Sequence, residues 1–145
     1  MRYDAGMSTL TIERTSGYEF MVRVDEASVK EFLVEEGPPL GTGRSPGPDV
    51  MLGAAVGTCL SASLLFCLTK AHIDVEHLSA GVSIDKARDE RGRLRIGSIE
   101  ASLSVRVPAD QRERFERCRT LFEDFCTVTQ SVRAGIPVTV STELS

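Results

Sequence analysis

Four cysteines are the side chains of this 145-residue chain with the most reactive chemistry: Cys59, Cys67, Cys118 and Cys126, spaced 8, 51 and 8 residues apart. None forms a C-x-x-C pair, and the spacings match neither a zinc ribbon nor a thioredoxin-like site, so a structural metal is not expected. His72 and His77 follow a long apolar run, where histidines at a helix end more often meet the final carbonyls than a metal. A thiol attacks only as its thiolate. Cys59 lies within the apolar run, where the ordinary reading is a small hydrophobe. To be a nucleophile there it needs a cation such as arginine beside it, oriented by a carboxylate; Asp49 and several arginines are available. Cys126 stands at a junction between a charged segment and TVTQS, where a following short helix would present backbone N–H groups that lower the thiol pKa. Cys67 and Cys118 fit apolar stripes and are read as core.

The elements that must position these thiols follow from periodicity. Residues 8–14 and 18–24 read as a β-hairpin about Thr15-Ser16-Gly17, with a third strand over 29–34. Residues 36–48, EGPPLGTGRSPGP, hold four of the six prolines and four of the twelve glycines; they read as a loop, and a candidate lid. Val50–Thr69 is twenty residues without a charge, long enough to span a bilayer. Its glycines, serines and threonines and the lack of a basic flank favour a helix buried in protein instead. Gly53, Gly57 and Ser61 form a small-residue stripe, for which a second helix is the expected neighbour. Leu78, Ala80, Val82 and Ile84 share one strand face, and the return strand changes parity between Ile96 and Ile99, which predicts a bulge near Gly97-Ser98. Residues 110–125 predict an amphipathic helix capped by Asp110 with Glu113, carrying Phe115, Cys118, Phe122 and Phe125 on one stripe. TVTQSVRAG is a short turn or helix ending at Gly135, and IPVTVSTEL reads as a closing edge strand. The order βββ-α-ββ-α-β gives an α+β fold with a mainly antiparallel sheet, in a single domain over 1–145.

Composition excludes some function classes. With 17 basic and 21 acidic residues the net charge is −4, and no basic stripe or polybasic tail is present to neutralise phosphates, so neither a nucleic-acid nor a membrane partner is expected. The opening MRYDAGMSTL has no apolar signal core, and a cytoplasmic location is the expectation. Neither dinucleotide-binding nor phosphate-loop glycines occur.

The run from Pro48-Asp49 through Gly53-Ala54-Ala55 to Cys59-Leu60 resembles the helix of the OsmC/Ohr family, osmotically inducible protein C and organic hydroperoxide resistance protein, in which a Pro-Glu pair opens a helix that carries a cysteine. Cys126-Thr127-Val128-Thr129 followed by a terminal strand is similar to that family's C-P-V-S motif, with Thr127 in place of its proline. The element order agrees over nearly the full chain. The resemblance implies an intertwined homodimer with two central helices packed together and the active sites at the subunit interface. It implies a thiol-dependent peroxidase in which Cys59 attacks an organic hydroperoxide and Cys126 resolves the sulfenic acid as a disulfide. No cofactor is implied, only an external thiol reductant, a small dithiol or lipoyl-type molecule. It places Asp49 at the position of the family's glutamate, which holds the arginine that holds the thiolate. Arg14, ahead of the second strand, and Arg44, in the Gly/Pro loop, are the candidates for that arginine, with Arg14 preferred. Within one helix, ten residues put Asp49 and Cys59 about 15 Å apart, so any link needs a bridging arginine or another subunit. The alternatives are a redox-inactive dimer binding an apolar small molecule at the interface, and an interaction domain that uses the small-residue helix for assembly.

Overall fold

The computed structural model describes residues 6–145; the first five residues, part of the stretch read as lacking a signal core, lie outside it. Contacts divide the chain into two compact units, Met1–Leu52 and Gly53–Ser145.

In the first unit β1 (Leu10–Ser16), β2 (Glu19–Val24) and β3 (Phe32–Glu35) form an antiparallel sheet in sequence order. The predicted hairpin is present: Ile12 pairs with Val22 and Arg14 with Phe20, and Gly17 turns the chain at φ +50°. The Gly/Pro loop that follows is held from below by a buried acid. Glu35, at the end of β3 and 4% exposed, accepts hydrogen bonds from the Thr42 N–H at 2.7 Å, the Thr42 hydroxyl and the Arg44 N–H at 3.3 Å. These donors, the Thr42 N–H foremost, hold its carboxyl below the ordinary carboxylate value. The segment read as a lid is therefore a loop wrapped on one carboxylate.

Helix α1 (Pro48–Lys70) starts at a proline, favoured in the first helical turn, with Asp49 beside it to complement the positive end of the helix dipole. By length and composition it could cross a membrane. Yet Val56, Leu60, Leu64 and Leu68 form a stripe that anchors the core of the second unit. It ends with His72 at φ +55°, whose N–H bonds the Thr69 carbonyl while the Ile73 N–H bonds Leu68, so the His72 backbone, not its ring, closes the helix.

β4 (His77–Arg88) and β5 (Leu94–Arg106) form one long antiparallel hairpin. Asp85 pairs with Ser98 and Lys86 with Ile96, leaving Gly97 as the extra residue; the predicted bulge is where the parity change required it. The small-residue stripe of α1 packs on this hairpin, not on a helix. A β-carbon at Gly53 would come 2.6 Å from Ile84 Cδ1, and one at Gly57 2.7 Å from Val82 Cγ2, so the glycines let a branched strand surface reach the helix backbone.

The segment expected to be one helix is broken. A 3-10 turn (Ala109–Gln111) leads into α2 (Arg112–Leu121), a second 3-10 turn covers Phe122–Phe125, and α3 spans Thr127–Ala134. Asp110 and Glu113 form no capping box. Gln111 takes the N-cap position, and its side chain instead accepts from the Asp74 N–H at 2.8 Å and donates to Asp74 Oδ2 at 2.9 Å. The tighter winding of the second 3-10 turn changes the phase of the stripe: Cys118 and Phe122 are buried, whereas Phe125 is 74% exposed and Cys126 fully buried. The expected closing strand is also absent. Residues after Gly135, which ends α3 at φ +78°, form no strand, and Val138 and Val140 are 82% and 80% exposed, because no neighbouring backbone pairs with them.

Cys67 and Cys118, read as core, do belong to it, Cys118 buried and Cys67 packed against the cluster, and they are joined by a disulfide, with Cα atoms 5.7 Å apart. One comes from the last turns of α1 and the other from the buried stripe of α2, and no spacing rule could have paired positions 51 residues apart. Closing a loop of that length is worth about 4 kcal/mol in the chain-entropy account. Cys118→Ala should lower the unfolding free energy by about 2–4 kcal/mol in urea titrations without reductant, and wild type titrated with strong reductant should lose a comparable amount. The Glu35 carboxylate is favoured in the folded chain, so its contribution is present above the ordinary value of 4.5 and is lost as pH falls through its lower folded value. Wild type should therefore be more stable than Glu35→Gln at pH 7, with the gap closing toward pH 3; a gap that does not change with pH contradicts the assignment.

Candidate functional site

Cys59 is in the middle of α1, on the side where Ser63 follows one turn later. Cys126 is the residue just before α3, in an extended conformation (φ −78°, ψ 98°), and the change of phase in the preceding 3-10 turn places its side chain inward. These two unpaired thiols of the second unit come from distant parts of the sequence, and Cys59 packs against the core cluster that contains Cys126, close enough for each to influence the other's ionisation. Cys59 is half-buried and Cys126 fully buried.

Their surroundings differ. Burial pushes the Cys59 thiol up, and so does the neighbouring Cys126; the main-chain N–H groups of Val128 and Thr127 pull the other way, with the balance upward. Burial alone would raise Cys126 too, yet its thiol is held below the ordinary range. The Thr129 hydroxyl, 3.0 Å from its sulfur, the Cys59 thiol, the Thr129 N–H and the Ser63 hydroxyl all favour the thiolate. The first ionisation therefore belongs to the pair, with Cys126 the sulfur on which the charge is more favoured. Chemically, the arrangement presents a half-buried sulfur packed beside a buried one whose charged form is the more favoured, the neighbourhood that forming a disulfide requires.

Of the residues expected to form the site, Cys59 and Cys126 are brought together in the second unit. Arg14, Arg44 and Asp49 belong to the first. Arg14 is exposed and donates through Nε to the Gly17 carbonyl at 2.9 Å. Arg44 is exposed, with its N–H on Glu35. A β-carbon at Gly47 would lie 2.8 Å from Asp49 Oδ1, so that carboxylate folds back over the residue preceding the helix. Sequence reasoning missed three residues: Ser63, Thr129 and Glu35. Ser63 is four residues beyond Cys59 and Thr129 three beyond Cys126, spacings that put a hydroxyl on the same helix face or at a cap, and both were available to be read. Glu35 carried no such signal beyond its place before the Gly/Pro loop. Among the described residues, no three His, Cys, Asp or Glu side chains converge as metal ligands would.

The fold is shared with known structures. An OsmC-like protein of unknown function from Vibrio cholerae superposes with a TM-score of 0.73 at 14% identity, covering 87% of this chain and 93% of its own. An organic hydroperoxide resistance protein OsmC from Legionella pneumophila gives 0.67 at 13% identity, over 90% of this chain and 92% of its own. The organic hydroperoxide resistance protein OhrB of Bacillus subtilis gives 0.60 at 16%, over 90% and 93%. No curated protein matches the chain in sequence. The OsmC-like protein model matches residues 41–141, which takes in α1 with Cys59 and the Cys126 turn, and the chain belongs to the OsmC-like family.

Proposed function

We propose that the protein is a thiol-dependent peroxidase that reduces organic hydroperoxides through Cys59 and Cys126. The observation that carries this reading is the packing of two unpaired cysteines into one core cluster, one half-buried and one buried. Cys59, the more accessible, is the attacking sulfur. Its thiolate, formed as its proton passes to Cys126, attacks the terminal oxygen of the hydroperoxide; the O–O bond breaks, and the alkoxide leaves as alcohol after taking that proton from Cys126, which becomes a thiolate again. Cys59 is then a sulfenic acid. The Cys126 thiolate attacks that sulfur, an S–S bond forms, and hydroxide leaves as water after protonation. The sum is two thiols and one hydroperoxide to one disulfide, one alcohol and one water. An external dithiol, lipoyl-type or similar, restores both thiols by exchange. In this reading Asp49 and one of Arg14 and Arg44 supply the carboxylate and guanidinium that favour the Cys59 thiolate, and the protein works in the cytoplasm.

A homodimer completes the reading. On α1, Val50, Leu65 and Phe66 are 52%, 43% and 50% exposed, and the unpaired closing segment displays Ile136, Val138 and Val140. A second copy would cover these apolar surfaces and pair the closing backbone. Light scattering should therefore give twice the chain mass, and Val138→Asp with Val140→Asp should move the protein toward monomer.

The test of the activity is mass spectrometry after one equivalent of cumene hydroperoxide is added to protein whose Cys59 and Cys126 are reduced. A Cys59–Cys126 bond should form in wild type, a trappable sulfenic acid should accumulate on Cys59 in Cys126→Ser, and neither should form in Cys59→Ser. If both thiols stay reduced in folded wild type, the peroxidase reading fails and the redox-inactive, ligand-binding dimer takes its place.

A further inference from the structure

Cys59 and Cys67 stand eight residues apart on α1, and Cys118 and Cys126 stand eight apart on the chain that returns past it. Cys67, near the end of α1, is bonded to Cys118, and Cys59, nearer its start, packs on the cluster that contains Cys126. The two pairs are therefore successive rungs, of equal spacing, between segments that run in opposite directions. Eight residues of helix set Cys59 and Cys67 about 12 Å apart, too far for exchange between the rungs, so they are separate thiol–disulfide couples. The proposed function uses the first and leaves the second unassigned.

The path from Cys118 to Cys126 is continuous in hydrogen bonds. The Phe122 N–H donates to the Cys118 carbonyl, and the Cys126 N–H donates to the Glu123 carbonyl at 3.1 Å, which also accepts from the Gln130 side chain at 3.0 Å. Arg133 pairs with the Glu123 carboxylate at 2.9 Å. The hydrogen bonds that tie α2 to the segment leaving α1 lie ahead of this path, from Gln111 to Asp74 and from Arg114 to the Ala71 carbonyl. Beyond Arg114, the Cys67–Cys118 bond and the packing of Phe122 in the core cluster hold the path on α1.

We propose that Cys67–Cys118 is a second redox site, a lock opened by a small dithiol: formed, it keeps Cys126 in place to close on Cys59, and reduced, it slows that closing. The proposal rests on the Cys59 and Cys126 pair of the proposed function. Cys67 is the sulfur that a dithiol reaches, because it is half-buried whereas Cys118 is 3% exposed. The dithiol's thiolate attacks the Cys67 sulfur, the S–S bond breaks, and Cys118 leaves as a thiolate that takes a proton. The second thiol of the reagent, losing its proton, then displaces Cys67, which leaves as its own thiol, and the reagent is oxidised to a disulfide. With the bond in place, Cys126 is joined to Cys59 through two arms of eight residues; without it, the connection is 67 residues (126 − 59). Loop closure costs about (3/2)RT ln n, so a segment that has come away from α1 meets Cys59 about eight-fold less often once the bond is reduced. The class of reductant that restores the first rung is also the class that opens the second, so an excess of it slows the pair it serves.

Wild type with Cys67–Cys118 intact and Cys59 and Cys126 reduced would be compared with Cys67→Ala/Cys118→Ala after one equivalent of dithiodipyridine. The first thiol to react releases one thiopyridone and the second, closing the bond, releases the other, so the interval between them reads the closing step without any peroxide. Closing should be about eight-fold slower in the variant; equal rates in folded protein overturn the proposal. Reduction of Cys67–Cys118 by dithiothreitol, followed by alkylation and peptide mass spectrometry, should go to completion with near-ultraviolet circular dichroism retained, and a bond that opens only as the chain unfolds overturns the proposal as well. Should the variant not fold, hydrogen exchange in wild type decides. On reduction the amides of Phe122 and Cys126 should exchange several-fold faster while those of β4 and β5 keep their rates; an even rise across the unit, or none, marks the bond as structural only and overturns the lock. A pair that closes with dithiodipyridine but not with cumene hydroperoxide overturns the peroxidase reading and leaves the lock standing.

Discussion

The second unit depends on one meeting, in which a half-buried cysteine of α1 packs against the core at the point where a fully buried cysteine opens α3. Cys126 is tied to the first turn of α3 through the Thr129 hydroxyl, 3.0 Å from its sulfur, and Cys59 packs on the cluster that contains it. The rest of the unit can be understood as what makes the meeting possible. The stripe of Val56, Leu60, Leu64 and Leu68 fixes the rotation of α1, Gly53 and Gly57 let β4 approach it, and the 3-10 turn after α2 rotates Phe125 out and Cys126 in. The Cys67–Cys118 bond ties the last turns of α1 to α2 upstream of that turn, so the geometry at Cys126 is referred to a covalent point.

The difference between the two thiols is a matter of environment. Both are equally thiols by composition, and burial disfavours the charge on each. Cys126 has two hydroxyls, an amide and the neighbouring S–H arranged around it, and it titrates low; Cys59 has two amides but also the repulsion of its partner's charge. One sulfur is more exposed and the other has its charged form more favoured, a difference suited to a reaction in which the first is oxidised and the second attacks it.

How much of this was legible in the sequence depends on whether the physics was local. The two hairpins, the long apolar helix and the Gly97 bulge were readable because alternation, its one-residue phase slip and an unbroken apolar run are properties of neighbouring residues. The two cysteines were readable as the candidate pair through their motifs. The Asp110 cap was a sound local reading that lost to a long-range one, since Gln111 is recruited by Asp74, 37 residues away. The Cys67–Cys118 bond, the neighbour of the small-residue stripe and the role of Glu35 all depend on which segments meet in three dimensions, and no spacing carries that information. The closing segment IPVTVSTEL alternates as a strand should, but alternation makes a strand only when a second backbone is present to pair with it.

The central claim is that Cys59 and Cys126 lie side by side in the folded, reduced chain, and it can be tested without any peroxide or reductant system. Dilute protein with both thiols reduced would be treated with a small amount of diamide, and the first disulfide formed located by peptide mass spectrometry while native structure is followed by near-ultraviolet circular dichroism. The account predicts an intramolecular Cys59–Cys126 bond formed first, at a rate independent of protein concentration and with the tertiary signal retained. Disulfides between chains, or bond formation only after partial unfolding, would contradict it.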